Sequence, residues 1–271
     1  MGVLVLSASA GELVWDYTSG SFWQARGWEL RMWLCEAIHC AQFFSVILLV
    51  GQLLLCDMAC IGEYADGDIL TVYMLRRGIA DPSDYDTLQV TSALRYSDRL
   101  GLWTVLSRGV HMRILLPEMP GSTTMVSPLV LAIQSRYQED PDQEYDLPNT
   151  IQALLWACCS PHDFGLPEVS PLCEALRSGD DMAVSLLLQH KASPSRREEG
   201  SNDPIFVASQ MSSAENVHRL LQYEADPRSR EAVPSREGHA GRRRLRRRTA
   251  LEAAASHSRC RRVILDFMAG I

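Results

Sequence analysis

Four segments of this 271-residue chain begin alike: SPLVLAI at Ser127, SPLCEAL at Ser170, DPIFVAS at Asp203 and TALEAAA at Thr249. Their starts lie 43, 33 and 46 residues apart. Self-similarity at such a period constrains a fold more than composition does. One short unit cannot bury its own apolar face and must stack on its neighbours. After each start, a small-residue helix is expected to lead into a second, Leu-rich helix. That second helix is read in TIQALLWACC, MAVSLLLQHKAS, NVHRLLQYEADP and RRVILDFMAG. A fifth copy fits VTSALRYSDRLGLWTVLSRGV, closed by Gly109-Val110. Leu172, Ala175, Val184, Leu187 and Leu188 are the expected core of the best copy.

The 33-residue step between Ser170 and Asp203, with its paired helices, resembles ankyrin repeats across residues 88–271. The excess lengths elsewhere read as inserts near 138–149 and 228–248. The chain departs from the family at the His that usually follows each start. Val130, Cys173, Phe206 and Glu252 stand there instead, which implies a less regular stack. The resemblance implies an all-α solenoid that recognises other proteins through a concave surface and projecting loops. In the last copy, Val263, Leu265 and Phe267 are expected to dock on the Asp203 repeat. Arg259, Arg261, Arg262 and Asp266 are expected to face water.

The first 78 residues follow another pattern. Gly2–Ser7 and a segment from Glu12 read as a hairpin turning at Gly11. In WELRMWLCEAIH, Leu30, Leu34 and Ile38 recur every four residues and mark one helix face. Val46–Val50 reads as a buried strand, followed by a Gly51-Gln52 turn, a short Leu53–Leu55 strand and a closing strand over Ile69–Leu75. The order is β-β-α-β-β-β, an α+β layout. The run SVILLVGQLLLCDMACIGEYADGDILTVYMLRRG resembles the second half of a ubiquitin-like fold. The full expectation is a ubiquitin-like (β-grasp) module at 1–78, a linker at 79–87 and an ankyrin-type array of about five copies at 88–271. Arg76-Arg77-Gly78 continues into the chain without a diglycine terminus, so the resemblance implies an integral interaction module, not a conjugated modifier. The family's partner-binding sheet patch falls on Leu48, Thr71 and Tyr73.

A rival organisation comes from Ala37 to Cys56, whose only strongly polar side chains are His39, Gln42 and Gln52. Twenty such residues could span a bilayer. The Gly51-Gln52 break, the β-rich Val46–Val50 segment and the lack of flanking basic clusters favour sheet strands. The first fifteen residues lack the basic start and long apolar core of a secretory leader.

Hydrophobic residues at 46% and charged residues at 22% are ordinary for a globular chain, and the net charge of −7 gives no reason to expect whole-surface binding to polyanions. Eight cysteines are too sparse for a disulfide-stapled scaffold and suggest a reducing compartment. Cys35, His39, Cys56 and Cys60 have spacings that loosely evoke a metal site, but buried thiols are the expectation. No P-loop, GxGxxG, HExxH or GxSxG pattern occurs. No enzyme activity, cofactor, metal or small-molecule substrate is therefore expected. Two charged inserts remain: acidic QEDPDQEYDLPN (138–149) and basic GRRRLRRR (241–248). The basic one is read as a solvated loop formed by Arg242, Arg243, Arg244, Arg246, Arg247 and Arg248. Nuclear import or binding of an acidic partner is its sharper alternative; nucleic acid is not an expected partner, and contact through this run ranks below both readings, since no aromatic platform accompanies it. The expected function is a scaffold or adaptor that binds proteins in the cytoplasm or nucleus. The alternatives are a membrane-anchored repeat protein and a ubiquitin-pathway adaptor.

Overall fold

The computed structural model describes residues 2–7, 11–18, 24–40, 42–65, 69–118, 122, 124–135, 148–162, 170–195, 203–228, 230–234 and 245–270. The chain divides into two compact units, residues 1–113 with 139–159 and residues 114–138 with 160–271.

The first unit opens with β1 (Gly2–Ser7) and β2 (Leu13–Thr18), then α1 (Gly27–Ala37), β3 (Val46–Val50), β4 (Leu53–Leu54) and β5 (Ile69–Arg76). The strands form one mixed sheet in the order β2-β1-β5-β3-β4. β1 runs parallel to β5, and every other pair is antiparallel. Strand side chains alternate between faces, and here one set is sealed: Val3, Val5, Val46, Leu48, Leu70 and Val72 are buried. Leu30 and Leu34, one turn apart on α1, are buried with them. The helix ends in a left-handed residue, His39, and the Cys40 amide donates back to the Cys35 carbonyl at 2.7 Å. This is the Schellman closure of a helix. Gly51 takes a positive φ of 60° in the β3–β4 turn, a conformation costly for other residues.

Residues 42–56 thus form a 3₁₀ turn over Phe43–Ser45 and two strands, not the helix that a bilayer span over 37–56 would need. Among the described residues no helix is long and apolar enough to cross a membrane.

After the sheet come α2 (Asp84–Arg95) and α3 (Arg99–Leu106). Past α4 (Pro128–Ser135), which belongs to the second unit, α5 (Thr150–Trp156) completes the first. Ser83, Asp98 and Asn149 cap α2, α3 and α5, each side chain accepting a first-turn amide. α3 packs on both α2 and α5.

The second unit begins with β6 (Leu116–Pro117) and β7 (Met125–Val126), a small antiparallel pair, before α4. Helix pairs follow: α6 (Pro171–Ser178) with α7 (Asp181–Gln189), and α8 (Pro204–Gln210) with α9 (Ala214–Gln222). β8 (Arg230–Pro234) and β9 (Leu245–Thr249) then form a hairpin, and α10 (Ala250–Ala253) and α11 (Ser258–Ala269) end the unit.

The recurring starts are helix N-caps. Ser170, Asp203 and Thr249 each accept a first-turn amide, and Pro171 and Pro204 follow at positions where the missing N–H costs nothing. Asp180 and Ser213 cap the second helices in the same way, and Gly179, left-handed at φ 71°, turns the chain between α6 and α7. First helices stack in the series α4-α6-α8-α10, while α7 packs on α6 and α9 on both α8 and α11. The expected core residues Leu172, Ala175, Val184, Leu187 and Leu188 are all buried. Where the ankyrin family places its His, Val130, Cys173 and Phe206 are buried apolar side chains. Glu252 instead closes a capping box with Thr249. Neighbouring repeats are also tied by Asn216, whose buried amide donates to the Asp181 carboxylate at 2.7 Å.

Two expectations change here. α11 does dock beside α9 with Arg259, Arg261, Arg262 and Asp266 exposed. Its buried residues, however, are Cys260 and Ile264, while Leu265 and Phe267 are exposed. Val263, Leu265 and Phe267 are spaced by two, and no helix puts such a series on one face; the i, i+4 pair Cys260/Ile264 does share one. The insert near 228–248 also contains the β8–β9 hairpin and is not a loop throughout. Arg246, Arg247 and Arg248 stand in β9, and Arg242, Arg243 and Arg244 lie outside the described residues.

Candidate functional site on the open face of the sheet

α1 covers one face of the five-stranded sheet, and the other carries an apolar row. Directly opposed residues of antiparallel strands share a face, as do the paired positions of β1 and β5. The register links Leu13 to Leu6, Leu6 to Tyr73, Tyr73 to Leu49 and Leu49 to Leu54. One apolar side chain from each of β1, β5, β3 and β4 therefore lies in a line across the sheet, and Leu13 of β2 joins its end at the β-bulge that shifts the register between Val5 and Leu6. Leu13 and Leu54, at its two ends, are 58% and 60% exposed, and the three central residues are half-buried. A second pair, Ile47 opposite Leu75, lies beside the row, and Thr71 opposite Leu4 lies on its other side. Large contiguous apolar patches exposed on a protein surface mark interaction sites, whereas scattered single apolar residues do not.

The sequence expectation for this patch was Leu48, Thr71 and Tyr73. Thr71 and Tyr73 do lie on the open face. Leu48 does not: it is 1% exposed and belongs to the sealed face. A strand places successive residues on opposite faces, so an alignment displaced by one residue exchanges core for surface. The apolar residues of β3 on the open face are Ile47 and Leu49. Leu6, Leu13 and Leu54 were also missed, because cross-strand register, invisible in a single sequence, is what joins them to Tyr73.

Behind the sealed face lies a buried polar cluster with an aromatic wall. The Arg31 guanidinium on α1 meets the Asp57 carboxylate at 2.6 Å, with both side chains under a tenth exposed. Trp103 Nε1 on α3 donates to Asp57 at 3.2 Å. Burial pushes the Asp57 carboxyl above its usual value, a shift that Arg31, and after it Trp103, oppose. Arg77, just past β5, donates from Nε and Nη2 to the Phe44 carbonyl at 3.1 and 3.0 Å and also to the Ser107 carbonyl. Burial, followed by the neighbouring Arg31 charge, lowers the Arg77 pKa. Phe43 stacks on Trp156 at 4.5 Å, and Phe43 and Phe44 each meet Trp103 edge-on. The chain leaving β5 is thereby anchored to the helices of its own unit, and the sheet is held from behind.

No protein-family model matches the sequence, and no curated protein matches it. Among solved structures the chain is similar to the human ASB11 ankyrin repeat domain. That likeness has 21% identity, covers 66% of this chain and 68% of that one, and has a TM-score of 0.46.

Other surfaces offer less. Tyr85 and Leu88 on α2, and Tyr96 at its C-terminal cap, are exposed. Among the described residues, no group of three or more His, Cys, Asp or Glu side chains is placed to hold a metal ion. Of the cysteines with metal-like spacing, Cys35 is buried, Cys60 half-buried and Cys56 exposed, so the buried-thiol expectation fits Cys35 alone.

Proposed function

We propose that this chain is a non-enzymatic protein-recognition scaffold, built from a ubiquitin-like module and a short array of ankyrin-type repeats. The observation that carries this reading is the row Leu13–Leu6–Tyr73–Leu49–Leu54 on the face that α1 leaves open. A ubiquitin-like assignment is supported by the strand order β2-β1-β5-β3-β4, the parallel β1–β5 pair at its centre and the one helix between β2 and β3. A repeat assignment is supported by the capped helix pairs and their serial stacking. The module is an integral part of the chain, since Arg77 is held by backbone carbonyls of Phe44 and Ser107 and leaves no free tail.

The partner is a protein that presents an apolar segment to the strip, with Tyr73 as the central anchor. Aromatic residues near the centre of an interface carry a disproportionate share of its energy. The test compares proteins recovered with the wild type, with Leu49→Asp and with Met182→Asp, a control on an exposed position of α7. A partner lost with Leu49→Asp and retained with Met182→Asp supports the reading. Identical recovery with all three chains overturns it.

A further inference from the structure

Charge in this chain is segregated, and the protein-recognition reading makes no use of that. Residues 228–262 hold twelve arginines and three glutamates, a net of +9; the whole chain stands at −7, so the remainder carries −16. The backbone gives part of this surplus a definite form. β8 and β9 make a two-stranded antiparallel ribbon in which Arg246, Arg247 and Arg248 stand opposite Val233, Ala232 and Glu231. One glutamate thus opposes three arginines. α10 packs on both β9 and α11, so the helix bearing Arg259, Arg261 and Arg262 belongs to the same end of the unit. Those three are exposed, and Asp266, 3.7 Å from Arg262, is the only acid in α11.

Two kinds of macromolecule suit such a surplus: an acidic protein and a nucleic acid. A protein interface draws its energy from a desolvated apolar or aromatic centre. The ribbon strands, REAVP and LRRRT, contain no aromatic residue. A nucleic-acid backbone requires only positive charge on an element that can follow it. The missing aromatics do count against a single strand, which is held by base stacking. They do not count against a duplex. The major groove of B-form DNA, about 12 Å wide, admits a two-stranded ribbon between its phosphate walls, whereas the deep, narrow major groove of A-form RNA does not.

We propose that the β8–β9 ribbon, together with the arginines of α11, is a binding site for duplex DNA that contacts phosphates without reading sequence. This site is independent of the open sheet face, and either can fail without the other.

The test is fluorescence anisotropy of the full chain with a labelled 20-base-pair DNA duplex between 50 and 200 mM salt. Three to five phosphate contacts give a log–log salt slope of about −2.7 to −4.5, a loss of affinity of about 40- to 500-fold across that range. R246Q/R247Q/R248Q should make the slope shallower by up to about 2.7 and weaken binding at least about tenfold at 50 mM salt. R259Q/R261Q/R262Q should weaken it less. These three sit on an exposed helix face, so this variant tests the site even if the ribbon variant loses its hairpin; circular dichroism verifies the fold of both. Any of four results overturns the proposal: no binding at about 100 µM protein in 50 mM salt, a slope unchanged in both variants, tighter binding to duplex RNA than to DNA, or displacement of the DNA by an equal charge concentration of polyglutamate.

Discussion

Leu48 and Leu49 are neighbours in β3 with opposite fates, and truncating each in turn tests the sheet register and the open face together. Leu48 is 1% exposed in a strand flanked on both sides, by β5 and β4, so little backbone collapse can fill the gap left by Leu48→Ala. Leu-to-Ala truncations at such sites cost about 2–5 kcal/mol. Leu49 is half-buried, and truncating it loses chiefly its cross-strand contacts with Tyr73 and Leu54. Such pairs contribute about 0.2–1 kcal/mol each, so the cost stays near 1 kcal/mol. At about 2–4 °C per kcal/mol for a domain of this size, Leu48→Ala lowers the midpoint by roughly 4–20 °C and Leu49→Ala by about 2–4 °C. The assay can be confined to the relevant half of the chain. All six tryptophans (15, 23, 28, 33, 103 and 156) fall in the first unit, so tryptophan fluorescence follows its unfolding alone. In urea the midpoint should shift with no change of m-value. If Leu49→Ala destabilises as much as Leu48→Ala, the register is displaced by one residue and the proposed row of apolar residues does not exist.

Burial pushes the Cys35 thiol up to about 12, whereas Cys56 is exposed. Iodoacetamide at pH 8 followed by mass mapping should therefore label Cys56 early and leave Cys35 untouched until the first unit unfolds; early labelling of Cys35 refutes its placement. The Asp57 carboxyl sits above its ordinary value of 3.8 because it is buried, so the folded state takes up a proton more readily than the unfolded chain. The contribution of this group to stability accordingly grows as pH falls through the raised value and is lost as pH rises above it. Tryptophan-monitored urea melts should show the wild type gaining on Asp57→Asn upon acidification from pH 7, and a gap moving the other way would mean that Arg31 outweighs burial. Asp180 accepts from the Ala183 amide at 2.9 Å. Asp180→Ala should cost about 1 kcal/mol and shift the far-ultraviolet melt of the helices while leaving the tryptophan transition in place.

What the sequence made legible follows from which constraints are local. Helix pairs were readable because their starts are written in adjacent residues: Ser170-Pro171 and Asp203-Pro204 each supply a cap and a proline suited to the first turn. The sheet strands were readable from β-branched runs broken by glycine. Facing was harder. Val46–Val50 is VILLV, apolar at every position, so it carries no period-two signal to say which residues point inward. In α11 a similar ambiguity favoured Val263, Leu265 and Phe267 over the Cys260/Ile264 pair that the helical period selects.

Least legible of all was the cluster behind the sheet. Arg31, Asp57, Arg77 and Trp103 come from four separate stretches of chain and read individually as surface charges and a core aromatic. Their meeting also changes how the open face should be understood. A lone buried carboxylate is strongly unfavourable, and Arg31 and Trp103 offset the desolvation of Asp57 only in part, since its pKa stays raised. Here Arg31 comes from the helix that seals the sheet, Trp103 from a helix beyond it, and Arg77 from the segment that leaves β5. Any shift of α1 over the sheet would uncouple Arg31 from Asp57, and removing one partner of such a pair costs about 3–5 kcal/mol. The sealed face is therefore fixed by polar geometry as well as by apolar packing. The row Leu6–Tyr73–Leu49 lies on the other face of these same strands. A surface ordered in advance loses less conformational entropy on association, and the proposed recognition role of the five-residue strip rests on the sealed face holding the sheet in this way.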